Sequence, residues 1–170
     1  NNHGTAAQSN SCNGEIMILP VKRNSDGKQM FLALQSVPFG PNRANVGIYF
    51  KALESLNDYF TPKAFASNWT GKKQISQMGS AYSTMVWQKD DKVGFFYEES
   101  TYGADYTNVY KALTLEEITD NAFSYDATVK RPTEDANAIQ YSDLTKVTQL
   151  LGHKGVGFPL ADAESREQLA

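Results

Sequence analysis

A mainly β fold is what this 170-residue sequence predicts, and three observations carry that expectation. Aromatic residues make up 12% of the chain (nine Tyr, nine Phe, two Trp), and they fall in short runs where apolar and polar residues alternate, the pattern that suits a half-buried pleated surface. The runs are broken by turn residues rather than by long polar stretches. A strand–turn–strand–loop–strand unit also occurs twice, offset by roughly 65 residues, and such spacing points either to the blades of a β-propeller or to a plain β-sandwich, in which hairpins also recur.

The elements follow in order. Residues 1–11 are polar and read as an irregular lead-in. Residues 15–21 and 28–36 are two apolar runs joined by Lys22-Arg23-Asn24-Ser25-Asp26-Gly27. Asp-Gly between such runs predicts a hairpin, because both residues tolerate positive φ. Residues 45–53 alternate again, with Val46, Ile48 and Phe50 on one face and Gly47 and Tyr49 on the other. A short helical turn is expected over 62–68. Residues 82–88 and 93–99 form a second hairpin turned at Lys89-Asp90-Asp91-Lys92, and 106–113 alternate once more. Thr114-Leu115-Glu116-Glu117 matches a capping box, so a short helix starts there.

From Asn121 the character shifts. Residues 121–141 are polar and contain Pro132, which reads as a linker or a strap over the sheet. Over 142–170, Leu144, Val147 and Leu151 take helical spacing behind Ser142, and Asp162 caps a second helical stretch. The chain opens Asn1-Asn2-His3-Gly4 without an initiator Met and ends in that helical pattern at Gln168-Leu169-Ala170, so it is expected to be a trimmed or excised piece of a longer protein.

Composition removes several functions. Sixteen Lys+Arg against nineteen Asp+Glu, with no basic run, argue against nucleic acid as a partner. No apolar stretch approaches the ~18–20 residues that cross a bilayer, so no membrane span is expected. The single Cys12 excludes an internal disulfide, and two distant histidines, His3 and His153, make a metal site improbable. No cofactor is implied. Asn68-Trp69-Thr70 is a sequon that a eukaryotic secretory route would glycosylate.

Three polar residues sit awkwardly for a simple core. Arg43 lies at the mouth of a strand, Tyr82 opens one, and Glu98 closes the next after a strongly apolar run. Tyr82 and Glu98 therefore lie at the same end of one hairpin. Each also has a bland reading: surface arginine, core aromatic, solvated strand end.

The segments Leu34-Gln35-Ser36-Val37-Pro38-Phe39-Gly40-Pro41-Asn42-Arg43-Ala44-Asn45-Val46-Gly47-Ile48-Tyr49, Ser80-Ala81-Tyr82-Ser83-Thr84-Met85 and Val93-Gly94-Phe95-Phe96-Tyr97-Glu98 occur in that order. Together, over residues 11–119, they resemble the C-terminal half of bacterial exo-α-sialidases of the Bacteroidetes type. The resemblance implies a six-bladed β-propeller, of which residues 1–120 would hold about three antiparallel blades. A closed ring needs at least ~4 blades, so the remaining blades would be partners in the same or a separate chain.

The resemblance also implies roles. Arg43 matches the third arginine of the triad that holds the substrate carboxylate, Tyr82 the tyrosine nucleophile, and Glu98 the glutamate that orients the first triad arginine. Cys12-Asn13-Gly14-Glu15 resembles a pocket-lining strand start, with Asn13 as a substrate contact. The implied substrate is a sialylated glycan, and the implied location is secreted, periplasmic or the outer cell surface. These residue types suit the chemistry. Sialic acid carries a carboxylate on its anomeric carbon, which a guanidinium binds as a fork. An Asp or Glu nucleophile would be repelled by it, whereas a neutral tyrosine is not, and sialidases are the exception to the two-carboxylate rule of glycosidases.

The first and second triad arginines, the acid/base aspartate and the glutamate that partners the tyrosine have no counterpart in this sequence, nor does the aspartate-box repeat. Glu15 does not match the motif of that missing glutamate. The tail from Leu144 resembles small helical modules appended to bacterial surface glycosidases. A non-catalytic carbohydrate-binding propeller, or a fragment inactive on its own, is the alternative.

Overall fold

The first hairpin forms where alternation and the Asp26-Gly27 turn place it. Strand β1 (Ile16–Arg23) pairs antiparallel with β2 (Gln29–Pro38), Ile16 opposite Gln35 and Lys22 opposite Gln29. Gly27 takes φ +73° at the turn, and Asp26 closes it by accepting from the Lys28 amide and from Arg23. The structure is a computed structural model and describes residues 12–101 and 104–130. The expected lead-in over 1–11, the linker beyond residue 130 and the helical segment over 142–170 lie outside the described residues.

Strand β3 (Val46–Leu53) continues the meander on β2, and β4 (Gly71–Gln74) pairs with β3. Between them come a 3-10 turn at Leu56–Asp58 and the four-residue helix α1 (Pro62–Phe65), which starts behind Thr61, whose hydroxyl accepts the Ala64 amide. The second hairpin joins β5 (Ser80–Trp87) to β6 (Val93–Thr101), and β7 (Ala104–Leu113) pairs with β6. The capping box forms as expected, Thr114 and Glu117 each accepting the other's amide at the start of α2 (Leu115–Thr119). Strand β8 (Phe123–Tyr125) then returns to β1.

Two all-antiparallel sheets result, ordered β4-β3-β2-β1-β8 and β5-β6-β7. The mainly β expectation holds, with two sheets among the described residues where about three blades were expected. Two short strands were not anticipated. β4 is four residues of mixed polarity, and β8 lies in the stretch expected to be linker or strap. Phe123 draws β8 inward: it is 2% exposed and meets Phe50 edge-on, with ring centroids 6.4 Å apart.

The core lies between the facing sheets. Leu19, Val21, Leu32, Leu34, Val46, Ile48 and Phe50 come from the first, Met85, Val93, Phe95 and Tyr97 from the second, and Leu115 and Ile118 from α2 close it. Both strand periods alternate in the expected way, so the second sheet turns Tyr82, Val86, Phe96 and Tyr110 to its outer, exposed face.

The first sheet also buries part of its other face, and Lys51 is the device. It is 2% exposed, on the face opposite Phe50, and its ammonium donates to the carbonyls of Ala64 (2.5 Å), Ser67 (2.6 Å) and Phe65 (3.4 Å). Those are the carbonyls that a four-residue helix cannot satisfy internally. We expect Lys51→Met to cost about 2–3 kcal/mol, read as a lowered urea midpoint at unchanged slope, because it leaves half-buried acceptors without donors. A loss below about 0.5 kcal/mol would mean that water replaces the ammonium.

Candidate functional site

The loop over 39–45 is built to present Arg43. Gly40, Asn42 and Asn45 take positive φ (+85°, +56° and +62°), a region that glycine and asparagine tolerate. Backbone bonds from Phe39 to Asn45 (3.0 Å) and from Gly40 to Ala44 (3.1 Å) close the loop, and the Asn45 side chain donates to the Gly40 carbonyl at 2.6 Å. The loop is then docked onto β5. The Asn45 amide donates to Met78, Ser80 donates to the Arg43 carbonyl at 2.8 Å, and Ala44 bridges Gly79.

Tyr82 is presented by a bulge. Ser80 pairs with Glu99 and Ser83 with Tyr97, so Ala81 and Tyr82 on β5 face the single residue Glu98 on β6. The Tyr82 ring is 42% exposed, and the Arg43 guanidinium carbon sits over it, 5.4 Å from the centroid. The tyrosine is therefore not the core aromatic of the bland reading. Glu98, half-buried, accepts the Tyr82 amide on Oε2 at 3.3 Å. Both strands run further than the sequence pattern indicated, with Tyr82 third in β5 and Glu98 sixth in β6.

Asn13 reaches the same place through its backbone. Its carbonyl accepts the Ser83 amide at 3.1 Å, and its side chain is exposed. Gly14 makes this approach possible, since a Cβ there would stand 2.0 Å from the Ser36 carbonyl oxygen. The neighbouring Glu15 carboxylate accepts the Thr84 hydroxyl at 2.5 Å. Arg43, Tyr82, Glu98 and Asn13 are thus brought to one end of the second sheet.

Cys12, which the sequence placed with Asn13 in a pocket-lining strand start, joins them, and so does Tyr106, which sequence reasoning missed. The Arg43 guanidinium is held above its ordinary pKa, first by a hydrogen bond to Tyr106, then by the Cys12 charge and the Tyr82 hydroxyl. Cys12 shifts upward too: burial dominates and Glu98 adds to it, while Arg43 opposes. Tyr97 shows the contrast. It sits one residue before Glu98 but points into the core, 1% exposed and stacked on Phe95, and burial followed by the nearby Glu99 pushes its hydroxyl up to about 12. Alternation separates the two tyrosines: one is available, the other inert.

Another concavity, about 470 Å³, opens beside α2 among Lys73, Ile75, Leu113, Glu116 and Asp120, away from these residues. Within it Lys73 pairs with Asp120 at 2.6 Å. Among the described residues no three His, Cys, Asp or Glu side chains group as metal ligands, and no helix is long and apolar enough to cross a membrane. Neither the models of protein families nor the curated proteins yield a match to this chain.

The cluster can be tested without reference to function. Thiolate alkylation of Cys12 should show a pH midpoint above that of a free cysteine. Arg43→Gln should move the midpoint further up, because it removes the cation that favours the thiolate, and Glu98→Gln should move it down. Iodoacetamide rates across pH measure all three, and midpoints indifferent to both substitutions would separate Cys12 from the cluster.

Proposed function

We propose that this chain supplies C-terminal blades of a retaining exo-α-sialidase, which removes terminal sialic acid from glycoconjugates outside the cytoplasm, secreted, periplasmic or at the outer surface. The observation that carries the reading is the Arg43 guanidinium stacked on the exposed ring of Tyr82, with Glu98 directly behind the bulge. A cation that meets a carboxylate and a phenol that meets the adjacent carbon are the pair that an anomeric acid requires.

On this reading Arg43 anchors the sugar carboxylate, and Tyr82 Oη forms a bond to the anomeric carbon as the glycosidic C–O bond breaks. The phenolic proton passes to a carboxylate and the departing oxygen takes a proton from an acid, both contributed by other blades. Water then displaces the tyrosine. Glu98 orients an arginine from an earlier blade, and Asn13 lines the pocket rim. Strands β1–β4 and β5–β7 are each antiparallel meanders of consecutive strands, with β8 added at the β1 edge, which supports reading the pair as consecutive blades of a six-bladed propeller whose remaining blades are its partners.

In the full-length protein, Tyr82→Phe should reduce turnover of a fluorogenic sialoside by about a thousand-fold or more, as loss of a nucleophile does, while product binding stays within about three-fold. A non-catalytic sugar-binding propeller keeps the role of Arg43 and makes Tyr82→Phe neutral, with a wild type that cleaves nothing. The 170-residue chain alone should hydrolyse no sialoside, because it lacks the family's acid and two of its arginines; measurable release by the isolated chain would contradict that assignment.

A further inference from the structure

The backbone bonds of the second sheet follow from two contacts at its rim. The Gln88 amide donates to the Lys92 carbonyl across the turn at 2.9 Å, and the Ser83 amide leaves the sheet to reach the Asn13 carbonyl at 3.1 Å. Bonding alternates along an antiparallel strand, so even-numbered residues of β6 bond to β5 and odd-numbered ones to β7. Val93, Phe95, Tyr97 and Glu99 face Leu113, Lys111, Val109 and Thr107. The amides and carbonyls of Asn108, Tyr110 and Ala112 therefore point away from β6. Strand β7 ends the sheet, so among the described residues no strand meets them.

This edge is unlike the others. Strand β4 is four residues long and carries Lys72 and Lys73, and β8 is three residues long. The edge of β5 is covered, because Asn13 takes the Ser83 amide and Arg43 the Ser80 amide. Short length, charge and cover are the ways in which sheets close their edges. Residues 107–113 show none of them. They hold no proline, and their one charge, Lys111, is turned to the core side, where its ammonium donates to the Ile75 carbonyl at 3.3 Å. The bulge beside Tyr106 bends only the start of the strand. On the core side Val109 and Leu113 stay half-buried at the rim, and on the outer face Tyr110 is 52% exposed beside Phe96 at 44%.

We propose that the outer edge of β7 is a strand-acceptor site, which takes one extended segment of the same protein from beyond these 170 residues as a fourth strand of the second sheet. The incoming strand bonds the outward amides and carbonyls of Asn108, Tyr110 and Ala112. Its core-side residues are apolar, because they complete the cover over Val109 and Leu113, and its outer residues extend the Phe96–Tyr110 row. That the segment comes from another part of the propeller rests on the sialidase reading, in which a blade has four strands where this sheet has three. The acceptor edge itself does not.

Amide hydrogen exchange, read at single residues by fragmentation mass spectrometry, tests this in the 170-residue chain and in the full-length protein. In the 170-residue chain the Val109 and Lys111 amides should be protected, while those of Asn108, Tyr110 and Ala112 exchange as open backbone does. In the full-length protein these three should slow by about a hundred-fold or more. Asn108→Pro removes one outward donor and spares the bonds to β6. It should leave the urea midpoint of the 170-residue chain within about 0.2 M, and in the full-length protein it should speed exchange at Tyr110 and Ala112 by about ten-fold or more. Outward amides that stay fast in the full-length protein overturn the proposal, and so does protection that survives Asn108→Pro. Outward amides already slow in the 170-residue chain overturn it too, because the strand then lies within this chain. Absence of sialidase activity in the wild type sinks the proposed function instead, and the exchange pattern, read without substrate, still decides whether β7 accepts a strand.

Discussion

Ser80 joins the two sheets at the point where the site is assembled. Its hydroxyl accepts the Val46 amide at 3.0 Å, and its own amide donates to the Arg43 carbonyl at 2.8 Å. A few residues on, the Ser83 hydroxyl donates to the Ser36 hydroxyl at 2.8 Å, which also accepts the Glu15 amide at 2.9 Å. These buried hydroxyls have partners, as buried polar groups must. Apolar burial between the sheets supplies most of the driving force, but it has no direction and tolerates sliding. The serine bonds do have direction. They set the register of one sheet on the other, and with it the place of the Arg43 loop relative to Tyr82.

Given that register, chemistry at the sheet end follows from irregularity within otherwise regular strands. Alternation on β5 already turns the Tyr82 ring outward in line with Val86. The extra residue at the bulge leaves the Tyr82 amide outside the ladder, where it donates to the Glu98 carboxylate. Cys12 reports on the same field, as its thiol is pulled one way by Arg43 and the other by Glu98. Four segments far apart along the chain therefore meet within one electrostatic neighbourhood.

Much of the fold was legible because period-2 alternation and turn chemistry are local signals. The Asp26-Gly27 hairpin, the faces of β3 and the Thr114 capping box all formed where the residues placed them. Strands β4 and β8 were not legible, being four and three residues long and set by pairing partners distant in sequence. At the site, Arg43, Tyr82 and Glu98 stood out by motif and by position at strand ends. Tyr106 did not, because a tyrosine in an alternating strand reads as surface or core, and the bulge beside it leaves no mark in composition. Ser36, Ser80 and Ser83 were equally silent: their importance lies in which amides they face across the joint. Lys51 read as an ordinary polar residue of β3, and only the helix above it explains its burial.

Arg43 is fastened at both ends to the same strand. Its carbonyl is held by Ser80, first in β5, and its guanidinium rests on Tyr82, third in β5. The serine that seats the loop and the phenol under its cation are thus two residues apart on one strand, so the spacing between cation and phenol is set within β5 rather than across the core.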